Sequence, residues 1–240
     1  MSFSKILIIM VYVICVIGWM QSQAKPPEIV ATNPAIGATE VDPALDTISV
    51  TFDQDMREGF SWTGGGPYYP LLADKPRWID KRTCVLPVKL ESGKFYRVGI
   101  NSKSHQNFRS VTGEPTPPRA IYFTTRGASD ELKAKVKPPV VVKFEPANGA
   151  TDVDSTIQYL RVTFDRKMGG GMSWTGGGST YPEVTGQITW DEKGMTCSMP
   201  VKLKPNQEYR IGINSYSHRN FSSEEGIPVT PVVYTFKTKP

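Results

Sequence analysis

Cysteine is nearly absent from this chain of 240 residues: there are three, and Cys15 lies in an apolar N-terminal run. The other two, Cys84 and Cys197, fall in different halves of the sequence. No half can therefore close a disulfide of its own, and no thiolate cluster of zinc-finger spacing exists. Histidine is as sparse, with only His105 and His218. One His per half, without a second His or Cys at ligand spacing, gives no metal site, and nothing around Ser104 resembles a nucleophile elbow. Helical periodicity is missing over almost the whole chain. Charge of one sign is missing too. Residues 25–125 carry 12 basic and 11 acidic side chains and residues 138–240 carry 11 and 10. Such balance leaves no electrostatic footprint for nucleic acid, despite a sequence pI of about 9.0.

Long apolar runs are absent except at the start. Lys5 precedes an apolar stretch from Ile6 to Trp19, followed by Gln21, Ser22, Gln23 and Ala24. The pattern reads as a secretory signal, residues 1–24, cut after Ala24. An uncleaved anchor is the alternative, but the stretch is short of the roughly 20 residues that span a bilayer. Ile14 before Cys15 does not fit a lipidation site. The expectation is an exported chain in the periplasm, at the cell surface or outside the cell, with no stable membrane span after cleavage.

What the sequence does have is itself, twice. Pro26–Thr125 reappears as Pro138–Thr238. Both copies open with P-A-x-G-A-T-x-V-D, pass through V-T-F-D, S-W-T-G-G-G and T-C-x-x-P-V-K-L, and close with Y-R-x-G-I-N-S-x-S-H-x-N-F-x-S. A period this long is a whole domain rather than a solenoid unit. Within a copy the signals are short alternating segments between turn residues: Ile48, Val50, Phe52; Cys84, Leu86, Val88; Tyr96, Val98, Ile100; Ile121, Phe123. With an opening strand near Glu28–Thr32 and short strands near Tyr68–Ile79, about seven strands fit in one copy. The fold class expected is all-β: two tandem immunoglobulin-like β-sandwich domains after an N-terminal signal peptide. Domain 1 is 25–125, the linker 126–137 and domain 2 138–240. The short charged linker implies an end-to-end arrangement with limited freedom. Cys84 and Cys197 are expected as buried, inert thiols.

The opening motif, Pro27 to Asp42 with Val50-Thr51-Phe52-Asp53 and Met56, resembles the bacterial Ig-like domain of the surface-layer-protein (SbsA) type. Pro139 to Asp154 with Val162 to Asp165 and Met168 repeats it. The resemblance implies an Ig-like sandwich serving as a spacer or adhesion module in exported bacterial proteins, with no catalytic residues to carry over.

If strands connect as in immunoglobulins, the loop after the second strand (Gln54–Pro67) and the loop after the sixth (Asn101–Pro118) share one pole. These loops hold the polar identity of the repeat. Candidate ligand-binding residues are Trp62, Asn101, His105 and Asn107 in the first copy, and Trp174, Asn214, His218 and Asn220 in the second. An aromatic face with Asn and His suits a sugar ring. The alternative is structural: Trp62 and Phe108 plug the sandwich end while Asn and Ser satisfy loop backbone. The Gly triplets lack the G-K-[ST] of a phosphate loop. Glu40, Asp42, Asp53 and Asp55 read as turn residues, since Lys167 replaces Asp55 in the second copy. No cofactor, metal or catalytic residue is expected. The expected role is a non-enzymatic interaction or structural module whose partner is an envelope or extracellular protein, or a glycan, bound once at each pole.

Overall fold

The computed structural model describes residues 25–240; the leader expected over 1–24 lies outside the described residues. From the N-terminal side the strands are β1 (Ile29–Asn33), β2 (Thr47–Phe52), β3 (Trp62–Thr63), β4 (Leu71–Leu72), β5 (Arg77–Trp78), β6 (Thr83–Lys89), β7 (Phe95–Ile100) and β8 (Arg119–Thr124). They form two sheets, β1-β2-β6-β4 with β5 also on β6, and β3-β7-β8. Alternation decides which side chains lie between them. Ile48, Val50 and Phe52 are buried on β2, while Ser49 and Thr51 are only half-buried. The pairing sets Val50 opposite Cys84 and Val98 opposite Ile121. One core results, containing Ile48, Val50, Leu86, Val98, Ile100 and Phe123. Each such side chain contributes about 1.5–3 kcal/mol through burial.

Helix α1 (Asp130–Lys135) comes next, and then β9 (Val141–Glu145), β10 (Ala150–Val153), β11 (Tyr159–Phe164), β12 (Trp174–Thr175), β13 (Glu183–Val184), β14 (Thr189–Trp190), β15 (Thr196–Lys202), β16 (Glu208–Ile213) and β17 (Val232–Thr238). They too form two sheets, β13-β15-β11-β9 with β14 on β15, and β10-β17-β16-β12. β10 runs parallel to β17, and Val41 makes the matching parallel bridge to Thr125. With β1, β2, β6 and β4 on one sheet and β3, β7 and β8 on the other, the first sandwich has the A-B-E-D and C-F-G sheets of the immunoglobulin arrangement.

The segment between the sandwiches is ordered by its own sequence. Ser129 Oγ accepts the Leu132 N–H and starts α1, with Asp130 and Glu131 in the first turn and Lys133 and Lys135 in the last. Arg166 also donates to the Ala134 and Lys137 carbonyls (3.1 and 3.3 Å) at the helix end, where Ala134 O accepts the Lys137 N–H as well.

The two sandwiches meet at a packed joint. The loop between β16 and β17 lies against the outer face of β7 and β8. Ile227, fully buried, packs with Phe95 and Val136, bordered by Tyr68, Tyr122 and Leu132. Lys135 pairs with Glu225 at 3.1 Å, and Lys133 with Glu40. Gly226 has φ of +79°, and a Cβ there would sit 2.9 Å from Arg97 Nε. This joint is written into the differences between the copies. Ile227 stands where the first copy has Glu114, and Phe95, Tyr68 and Tyr122 stand where the second has Glu208, Thr180 and Thr235.

Candidate functional site

The two loops expected to share a pole do meet. Ser61 O accepts the Asn101 N–H (2.9 Å) and Ser61 Oγ accepts the Asn107 N–H (3.0 Å). In the second sandwich Ser173 does the same for Asn214 and Asn220. The residues at the pole then divide into two kinds.

Asn101 and Asn214 are corrected from ligand candidates to loop-fixing residues. Only 3 % and 2 % of their surface is exposed. Both occupy the left-handed region, φ 59° and 62°, which Asn tolerates better than most residues. Asn101 Nδ2 donates to the carbonyls of Phe108 (3.1 Å) and Thr116 (2.8 Å), and its Oδ1 accepts the Phe108 N–H (3.1 Å). Asn214 repeats all three bonds with Phe221 and Val229. Both carboxamides are thus turned to loop backbone.

The tryptophans lie between the two readings. Trp62 sets its edge against buried Phe108, centroids 5.4 Å apart at 88°, and Phe108 in turn packs on Phe52 and Trp78. Trp174 does the same on Phe221. Both indoles remain half-buried rather than covered. Trp174 Nε1 donates to Cys197 Sγ at 3.4 Å, whereas Trp62 Nε1 is buried with no such partner among the described residues. Burial pushes both core thiols, Cys84 and Cys197, up to about 11. A thiol so held stays protonated and unreactive at neutral pH.

His105 and His218 are exposed, as are Asn107 and Asn220. His105 Nδ1 lies 2.9 Å from Ser104 Oγ, and His218 Nδ1 lies 2.9 Å from Ser217 Oγ. No carboxylate hydrogen-bonds either imidazole among the described residues, so the pair lacks the orienting third group of a catalytic triad. Among the described residues no group of three or more His, Cys, Asp or Glu is placed to hold a metal ion.

Gly64 shows what the triplet is for. Its φ is +142°, and a Cβ would come within 2.5 Å of the Tyr69 ring. The ring that folds over this backbone is Tyr69. It helps to shape a cleft of about 250 Å³ beside the first pole, lined by Phe60, Trp62, Tyr69 and Pro76 with His105 and Asn107. Sequence reading missed Phe60 and Pro76, which the second copy replaces by Met172 and Ile188, and Tyr69, whose Tyr-Pro pair repeats at Tyr181 but signals no role by itself. A wider depression of about 640 Å³ borders Glu145, Asp152, Asp154 and Arg161 in the second sandwich. It lies by the start of β11, away from the His218 loop.

The two poles are not equivalent. Arg219, between His218 and Asn220, stands near Arg119 and Tyr122 of the first sandwich, and the same loop carries Glu225 and Ile227 into the joint.

Fold and site define an all-β protein of the Ig-like sandwich class. Residues 135–238 match the family model of the bacterial Ig-like domain. The first copy, with the same strand order, lies outside that match. Among solved structures the chain is similar to the titin Ig tandem domains A164-A165, at 12 % identity and a TM-score of 0.26, covering 89 % of this chain and 97 % of that one. A chimeric titin Z1Z2-Z1Z2 tandem gives 10 % identity and a TM-score of 0.29, over 89 % and 98 %. No curated protein matches the chain.

Proposed function

We propose that this chain is an exported, non-enzymatic protein of two tandem Ig-like domains, 25–125 and 138–240, acting as an interaction or structural module in the periplasm or at the cell surface. The observation that carries this reading is the joint. Buried Ile227, Phe95 and Val136, with the Lys135–Glu225 pair, tie two sandwiches into one block. A block of fixed shape suits the presentation of loops at a distance from an anchor point, and it needs no chemistry of its own. Expression with the leader in a bacterial host is expected to yield exported protein beginning at Lys25. Cytoplasmic protein that retains residues 1–24 refutes the export. Turnover of an ester, glycoside or peptide panel by the purified mature chain refutes the non-enzymatic reading.

A second reading, carbohydrate binding, draws on the aromatic cleft beside Trp62. A glycan array on the mature protein tests it, with retention of a defined glycan class expected and an empty array refuting it.

A further inference from the structure

We propose that the chain has one saccharide site rather than two, in the cleft beside Trp62, and that it takes a single neutral pyranose ring. The proposal rests on the carbohydrate reading and narrows it in number, place and ligand chemistry.

The walls decide the chemistry. Phe60 is 36 % exposed, and Trp62, Tyr69 and Pro76 are half-buried, so apolar and aromatic faces remain available to the C–H face of a sugar ring. His105 and Asn107 supply polar atoms. The Asn107 carboxamide and His105 Nε2 have no hydrogen-bond partner among the described residues, while Nδ1 is held by Ser104. No Asp, Glu, Lys or Arg lines the cleft. An anionic sugar would therefore bring its charge to a wall with no counter-charge, at a desolvation cost. The cleft, at about 250 Å³, is smaller than the ~300–1,000 Å³ typical of ligand pockets, which suits a single ring rather than a chain.

The second pole has diverged. Met172 replaces Phe60 and Ile188 replaces Pro76. Asn220 Nδ2 donates to the Met172 carbonyl at 3.4 Å, which occupies the amide that Asn107 leaves free. The Tyr181 hydroxyl donates to Trp174 O at 3.3 Å, and the loop beyond His218 is drawn into the joint.

The test is calorimetric titration of the mature chain with neutral methyl glycosides (glucose, galactose, mannose and N-acetylglucosamine types) and with methyl glucuronide. A proline-rich peptide serves as the competing aromatic-cleft ligand. One neutral glycoside is expected to bind with a stoichiometry of one. Phe60→Ala and Asn107→Ala are expected to weaken it at least tenfold, and His218→Ala to leave it unchanged. These rim positions are chosen because Trp62 also packs on Phe108, so Trp62→Ala risks unfolding. Two sites per chain, preference for the glucuronide, or binding indifferent to Phe60→Ala and Asn107→Ala overturns the proposal while leaving carbohydrate binding in place. Capture of the peptide with no sugar bound removes both.

Discussion

Replacing Ile227 by Glu gives the second loop the residue that the first loop carries at Glu114, and it should open the joint without unfolding either sandwich. Ile227 is fully buried and belongs to the junction cluster, not to the two core clusters of the second sandwich. The junction buries three apolar side chains, at about 1.5–3 kcal/mol each, so its gross stabilisation is about 5–9 kcal/mol before ordering costs. Truncating a buried Ile costs about 2–5 kcal/mol, and a carboxylate left against Phe95 adds a desolvation penalty of several kcal/mol. Together these match the gross contribution of the contact, so the open form should dominate. Small-angle scattering and ¹⁵N relaxation read this directly. The native chain should tumble with one correlation time, and Ile227→Glu should separate the two sandwiches into two and broaden the scattering profile. Ile227→Val, at about 0.5–1.5 kcal/mol, should stay closed. A folded Ile227→Glu protein with the native profile and a single correlation time would show that the buried side chain does not hold the joint.

Asn101→Ala should cost about 3 kcal/mol in urea unfolding, since it removes three buried hydrogen bonds and places Ala at φ 59°. Asn107→Ala, exposed and free, should stay within about 0.5 kcal/mol, and equal costs would refute the division of the pole. The joint should also sense acid. Burial raises the Glu225 carboxyl, but its own backbone N–H, Ser223 and Lys135 outweigh this and hold it below the ordinary value. Its contribution is present above the ordinary carboxylate pKa of ~4.3 and is lost as pH falls through the lowered folded value. Scattering from pH 7 downward should show the joint loosening in that acid window. Glu225→Gln should lack this pH-dependent part, and an unchanged profile in that variant would refute the assignment. Cys84 and Cys197, pushed up to about 11, should resist a thiol reagent at pH 8 until the chain unfolds. Labelling of the native protein would place a thiol outside the core.

Strand periodicity was legible because it is local. Ile48, Val50 and Phe52 alternate with Ser49 and Thr51 whatever lies across the sheet, and the same alternation placed Cys84 and Cys197 inside. The meeting of the Trp62 and His105 loops followed from immunoglobulin connectivity. The identical polar residues were a weaker guide. Asn101 and Asn107 look alike in the sequence, yet one bonds three backbone groups and the other bonds none through its side chain. Which backbone groups lie within reach of a carboxamide is set by how the loop closes, and no spacing rule encodes that.

By itself the sequence determined the duplication, the all-β character, the inward face of each main strand and the pairing of the polar loops, because each depends on a short repeat or on chain connectivity. Tertiary structure alone decided that the copies are unequal. Phe95 reads as the edge of a strand and Ile227 as an isolated loop residue, more than a hundred positions apart. Only when the chain turns at α1 do they bury one another, and that burial draws the second pole into a joint while the first keeps its cleft open.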